Sequence, residues 1–206
     1  MEIELKYSLG DDLAKDRILK DKHLIEIKDP EADEIIQMKA IYYDTAESDL
    51  QRLHIALRAR YENERIIVTL KWKGSVQDGL HVRGELNVPA GQDYLENPTV
   101  EVFRGSEIFE ELEAAVAGKK LIAVMEMDFL RKSIQVDTGA SISVISVDEG
   151  FIRTSKGDEE ILEVEVELYS GDQQDMIALG EELASKYNLI RCDKSKYQRG
   201  LELLKS

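Results

Sequence analysis

The chain has 206 residues, 43% of them hydrophobic, which is enough for one sizeable core and fits a single domain over 1–206. Its 42 acidic and 27 basic side chains leave a formal charge of −15, which disfavours nucleic acid and anionic membranes at long range. Cys192 is the only cysteine, so no intrachain disulfide framework exists and a reducing cytoplasm fits.

The N-terminus reads MEIELKY, without the basic and apolar regions of a secretory signal, and no run approaches the ~18 apolar residues of a membrane-spanning helix. Alternation predicts a first strand over 2–8. A helix follows over about 11–21, with Asp11 or Asp12 as its N-cap. A strand is expected over 35–43, then a weak capping box from Thr45 to Ser48. Segments 54–62 and 65–73 read as strands joined by a turn at Asn63-Glu64. A strand over 80–88 should stop at Pro89, and a helix over 107–117 should end at Gly118. Strands are expected over 120–136, 141–148 and 160–169. An amphipathic helix over 173–187 would bury Met176, Ile177, Leu179 and Leu183. The tail over 194–204 suits either strand or helix. About eight strands at hairpin spacing give an α+β chain with a closed or nearly closed antiparallel barrel.

Several of these strands carry charge at every second position. Glu2, Glu4 and Lys6 alternate with Ile3, Leu5 and Tyr7; Arg58 and Arg60 with Leu57, Ala59 and Tyr61; Glu163, Glu165 and Glu167 with Val164, Val166 and Leu168. Lys71 and Lys73 flank Trp72, and Arg83, Glu85 and Asn87 share one parity. Strand side chains alternate between faces, so each strand has one ionisable face. A wet outer face accounts for any one of them. Together they divide by sign, with acids on the first and last strands and bases on the middle ones. Three glutamates at successive same-face positions repel at roughly 7 Å. That arrangement suits a site that takes divalent cations and a polyanion. Curled inward, the charged faces would line a hydrated tunnel, with compensation from metal, water and phosphate.

The ordered motifs resemble the CYTH superfamily of triphosphate tunnel enzymes. Glu2-Ile3-Glu4-Leu5-Lys6 is similar to its ExExK signature, Tyr42-Tyr43-Asp44-Thr45 to its YYDT strand end, Leu57-Arg58-Ala59-Arg60 to LRxR, and Thr69-Leu70-Lys71 to TxK. The segment 79–88 resembles that of bacterial inorganic triphosphatases, whose CYTH domain is often fused to a CHAD domain; this chain is expected to be too short to hold one. Segment 161–168 resembles the glutamate-rich late strand, and Ser195-Lys196 with Arg199-Gly200 the C-terminal SKxxRG.

The resemblance implies an eight-stranded antiparallel tunnel barrel with helices outside, and hydrolysis of a triphosphate, tripolyphosphate first. Thiamine triphosphate hydrolysis, class IV-type adenylate cyclase activity and a non-catalytic polyphosphate- or nucleotide-binding module remain alternatives. It implies Glu2, Glu4, Glu163, Glu165, Glu167 and Asp148 as carboxylates for Mg²⁺ or Mn²⁺. It implies Lys6, Arg58, Arg60, Lys71, Arg83, Arg131 and Lys196 as triphosphate ligands, with Glu85 beside them. Lys6, Glu165 and Glu167 would be the catalytic groups. The implied partner is a small triphosphate, with neither nucleic acid nor membrane, in a monomer or homodimer. Three positions depart from the family pattern: Asn87 for another acid, Ser133 for a second base after Arg131, and no glycine ahead of Leu57. These bear on substrate preference more than on activity.

Other residues have plainer readings. His23, His54 and His81 are too scattered for zinc and suit surfaces or loops. Cys192 reads as an inert thiol, and Asp44 as a strand-end turn residue. Lys73 and Lys132 suit surface or tunnel equally. Trp72 should face a helix-packed layer, and Arg199 pairs locally or reaches phosphate.

Overall fold

Strands β1 (Glu2–Ser8), β2 (Glu34–Thr45), β3 (Ala56–Glu62), β4 (Arg65–Gln77), β5 (Leu80–Ala90), β6 (Leu121–Asp137), β7 (Ser141–Thr154) and β8 (Gly157–Gly171) form one antiparallel sheet in the computed structural model, which describes residues 1–10, 12–62 and 65–206. Their order is β5-β4-β3-β2-β6-β7-β8-β1, and β1 pairs back to β5, so the sheet closes into an eight-stranded barrel. Closure puts Glu2 opposite Arg83 on one side of β1 and Glu4 opposite Glu167 on the other. A two-residue strand, β9 (Ile190–Arg191), adds to β1 at Tyr7 and Ser8. The β4–β5 hairpin turns at Asp78-Gly79, both with positive φ (51° and 77°). A Cβ at Gly79 would stand 2.9 Å from the Lys6 carbonyl oxygen, so glycine is required there.

The helices are α1 (Asp12–Ile18), α2 (Lys22–Ile27), α3 (Asp49–Arg52), α4 (Asp93–Glu96), α5 (Phe109–Val116), α6 (Gln173–Tyr187) and α7 (Lys196–Lys205). Two apolar layers lie outside the barrel. In one, Leu57, Val68, Leu70 and Trp72 pack against Tyr94, Phe103 and Leu112. In the other, Leu5, Tyr7, Val164 and Val166 pack against Ile18, Met176, Leu179 and Leu183. Trp72 therefore faces the helices, as its place between two lysines predicts. Among the described residues no helix is long and apolar enough to cross a membrane.

A third apolar cluster lies inside the barrel. Ile36, Met38, Ala40 and Tyr42 of β2 face Met125, Met127 and Phe129 of β6, and Tyr197, Leu201 and Leu204 of α7 pack on them. The interior is thus charged on one side and apolar on the other, where alternation alone predicts a charged tunnel.

Local departures have local causes. The helix expected over 11–21 is two helices, because the Asp21 carboxylate accepts the His23 amide hydrogen and starts α2. Asp12 sits within α1 instead of ahead of it. The Asp11 cap and the Asn63-Glu64 turn lie outside the described residues. β5 runs through Pro89, which pairs with Ile67. β1 ladders β5 only over Leu80–Arg83, so the Pro89 end of β5 has an edge where a missing N–H is tolerated. Ser48 has a left-handed φ of 59° and caps nothing. The start of α3 is held by Thr45, whose hydroxyl accepts from the Asp49 amide at 3.1 Å, and by Asp44, whose carboxylate accepts from the Leu50 and Gln51 amides at 2.9 and 3.0 Å. Asp44 is a turn residue, as expected. The ambiguous tail is helix α7, fixed by a capping box between Ser195 and Gln198.

Candidate active site in the barrel

Twelve of the expected site residues line one cavity of about 390 Å³: Glu2, Glu4, Lys6, Arg58, Arg60, Lys71, Arg83, Glu85, Arg131, Glu165, Glu167 and Lys196. The period of two explains the convergence, since the same parity on β1, β3, β4, β5 and β8 points inward once the sheet closes.

The charges form a continuous chain around the wall. Arg83 donates to Glu2 at 2.6 Å and to Glu4 at 2.8 Å. Lys71 bridges Glu2 at 2.6 Å and Glu85 at 2.7 Å. Lys6 meets Glu4 at 3.2 Å and also donates to Glu165. Lys196 reaches Glu165, Asp148 and Glu163 at 2.8, 2.8 and 2.7 Å. Arg131 forks onto Asp148 at 2.7 and 2.6 Å and also donates to Glu165. Burial disfavours these charges, but their partners outweigh it. Lys6, Arg131 and Lys196 are held above their ordinary pKa values and Glu165 and Asp148 below theirs.

Two groups stand apart. Burial, then the charges of Glu2, Glu4 and Glu165, pushes the Glu167 carboxyl up to about 7. Arg58 donates only a 3.2 Å bond to Thr69, and its buried Nε has no hydrogen-bond partner among the described residues. A buried guanidinium N–H without an acceptor costs free energy that an incoming oxyanion would relieve.

Two expected metal carboxylates do not line the cavity. Asp148 is fully buried behind Arg131 and Lys196. Glu163 is 1% exposed and is bound by Lys196 and Arg199. Arg199 thus pairs locally, with Glu159 at 2.6 Å and with Glu163. Lys132 points away from the cavity, near Asp16, and Lys73 is exposed. His81 departs from its surface reading: it is 1% exposed, its Nε2 donates to the Cys192 carbonyl at 3.0 Å, and burial lowers its pKa.

Charge alternation missed Glu34, Ser146, Tyr42 and Tyr197, which also line the cavity. Tyr42 and Tyr197 stack at 5.0 Å. Glu34 shares its face with Ile36 and Met38, so no run of charges marks it; the Ser195 capping box was the signal that would have set Tyr197 on a helix.

The sequence matches the CYTH domain over residues 1–201. The chain belongs to the CYTH family. It is 33% identical over 159 residues to an inorganic triphosphatase of Haemophilus influenzae; the match covers 77% of this chain and 44% of that protein, so the chain spans less than half of its relative's length. Solved structures share the fold. A Hippeastrum protein named as an adenylyl cyclase and described as having a dominant triphosphatase activity aligns with TM-score 0.71 at 18% identity, covering 98% of this chain and 96% of that one. A Bacillus halodurans protein named as an adenylate cyclase aligns at 0.66 and 19%, covering 97% and 96%. The mimivirus capping-enzyme triphosphatase aligns at 0.53 and 14%, covering 90% and 89%.

CYTH triphosphatases use a divalent metal, and the donor set here fits one. Glu2, Glu4, Glu165 and Glu167 supply only carboxylate oxygens, the ligands of hard cations. Among the described residues no three acids converge as ligands of a single ion. Mg²⁺ typically takes one or two protein carboxylates and completes its shell with water and substrate phosphate, so the arrangement is compatible.

Proposed function

We propose that this CYTH chain is a metal-dependent triphosphatase acting on inorganic tripolyphosphate, with Mg²⁺ or Mn²⁺. The observation that carries the reading is the shared wall of the barrel cavity, where seven cationic side chains and six glutamates face one space. The Haemophilus relative's name supports the substrate.

In this reading Arg58, Arg60, Lys71, Arg83, Arg131, Lys196 and Lys6 hold the phosphate oxygens, the arginines suiting bidentate contact. Glu2, Glu4, Glu165 and Glu167 hold the metal, which supplies charge neutralisation at the phosphates. Glu167, which no cation pairs with among the described residues, is placed on the cavity wall to orient and activate an attacking water. Lys6, fixed between Glu4 and Glu165, is placed to stabilise charge on the transferring phosphoryl group. Asp148 and Glu163 act from behind the wall. A single cysteine and the −15 charge favour a reducing cytoplasm and a small-molecule partner.

The test is phosphate release from tripolyphosphate, ATP and thiamine triphosphate, each with Mg²⁺, Mn²⁺ or a chelator. Metal-dependent release fastest from tripolyphosphate is expected. Cyclic AMP from ATP without tripolyphosphate hydrolysis would replace the reading with a cyclase, and tight binding without turnover would replace it with a binding module.

A further inference from the structure

Glu163 is the one member of the β8 glutamate series that does not reach the cavity. It lies at 1% exposure on the inner side of the sheet, and both of its carboxylate oxygens are taken by α7. Oε2 accepts from Lys196 Nζ at 2.7 Å, and Oε1 accepts from Arg199. Arg199 continues to Glu159 and to the Glu160 carbonyl, so β8 grips the first turn of α7 at several points. No other acid is bonded to both residues among the described contacts. The same turn carries Tyr197, stacked on Tyr42, and Ser195, whose capping box starts the helix.

This geometry separates the three acids around the Lys196 ammonium. Glu165 lines the cavity, whereas Asp148 and Glu163 sit behind it. Glu165 is therefore the partner that Lys196 can exchange for a phosphate oxygen, and the other two hold it in place. Asp148 is shared with Arg131, and Glu163 with the helix that bears the lysine.

We propose that Glu163 is a positioning residue, which fastens α7 across the barrel and aims Lys196 into the cavity, and is not a metal ligand. This rests on the triphosphatase reading for its kinetic consequence, though not for its structural one. Removing the charge would leave Arg199 tied only to Glu159 and its neighbouring carbonyl, and Lys196 held from behind by Asp148 alone, without its tie to β8 through Glu163. Substrate binding would weaken while the metal carboxylates stayed intact.

The experiment compares wild type, Glu163→Gln, Arg199→Ala, Lys196→Met and the Glu163→Gln/Lys196→Met double variant. Glu163→Gln should raise KM for tripolyphosphate about tenfold, the loss of roughly one charge-assisted hydrogen bond. Arg199→Ala should shift KM the same way by less. The double variant should be no worse than Lys196→Met alone, because the two act as one unit. Mn²⁺ affinity, read by calorimetry without substrate, should match wild type. Amide exchange across 196–205 should quicken in Glu163→Gln while the barrel strands keep their protection. A tenfold loss of Mn²⁺ affinity would make Glu163 a metal ligand and overturn the proposal. So would multiplicative effects in the double variant, or a lowered melting temperature with unchanged KM. If wild type neither binds nor hydrolyses tripolyphosphate, the functional reading fails, and the exchange data still decide: unchanged protection of α7 overturns the proposal.

Discussion

Glu165 and Glu167 enter the same cavity from adjacent same-face positions of β8, yet Lys6, Arg131 and Lys196 all grip Glu165, while no cation lies within ion-pair distance of Glu167 among the described residues. Glu167 instead faces the charges of Glu2, Glu4 and Glu165. Crowding of this kind is destabilising when nothing compensates it and suits a site that a divalent cation completes.

Glu167→Gln removes one of those crowded charges and keeps the shape of the side chain. The metal-free variant should melt a few degrees higher than wild type, about 1–2 kcal/mol at this chain length. Metal-dependent release of phosphate should fall at least about a hundredfold. Thermal melts in chelator beside a phosphate assay read both, and a lower melting temperature with full activity would contradict the assignment.

Glu4 and Arg58 should fail in different ways. Glu4 is 2% exposed and meets both Arg83 and Lys6. Glu4→Gln should nearly abolish turnover with the fold intact by circular dichroism; full activity would show that β1 is not part of the metal site. Arg58 has a buried Nε without an acceptor among the described residues, so the resting protein gains little from it. Arg58→Ala should raise KM about ten- to a hundredfold with a small change in kcat, the loss expected for a charge-assisted bond to phosphate. A fall in kcat alone would place Arg58 at the transition state and not in ground-state binding.

The inward-facing ions were legible because a strand's period of two is a property of the backbone, and Glu2, Glu4, Arg58 and Arg60 display it without help from tertiary context. Which acid reaches the cavity was not. Glu163, Glu165 and Glu167 are equivalent in sequence, and only the arrival of α7, with Lys196 and Arg199, takes Glu163 out of the lining. The apolar inner wall was equally hidden. Met38, Met127 and Phe129 sit at alternate positions that read as an outward core face until closure places them inside. Asp21 was passed over because it reads as the last residue of the helix expected over 11–21, and its capping bond is visible only in the folded chain.

Gly84 lets the Trp72 indole lie across β5. A Cβ there would stand 2.7 Å from Cε2 and 3.0 Å from two more ring atoms, all in a buried side chain that cannot swing away. Gly84→Ala should cost about 1–3 kcal/mol in urea unfolding, the range for overpacking a filled layer. Arg83 and Glu85 flank the site, so kcat/KM should drop as well. An unchanged unfolding midpoint would mean that the Trp72 layer has room to yield.

Asp21 joins α2 to α6 far from the cavity. Its carboxylate caps α2 through the His23 amide, accepts from the Tyr187 hydroxyl at 2.6 Å and pairs with Lys186 at 2.5 Å. Burial alone would raise its pKa, but these bonds outweigh it and hold the carboxyl down at about 2, against an ordinary 3.8. Because the folded value lies below the unfolded one, the stabilisation is fully present above about pH 4 and is lost as the pH falls toward 2. A shift of that size corresponds to about 2 kcal/mol. Asp21→Asn should therefore lower unfolding free energy by about that amount at pH 7, and the gap from wild type should narrow as urea titrations move below pH 4. Activity per folded molecule should not change, since the cavity lies on the other side of the β1–β8 wall. A gap that stays constant down to pH 3 would mean that Asp21 contributes by shape alone.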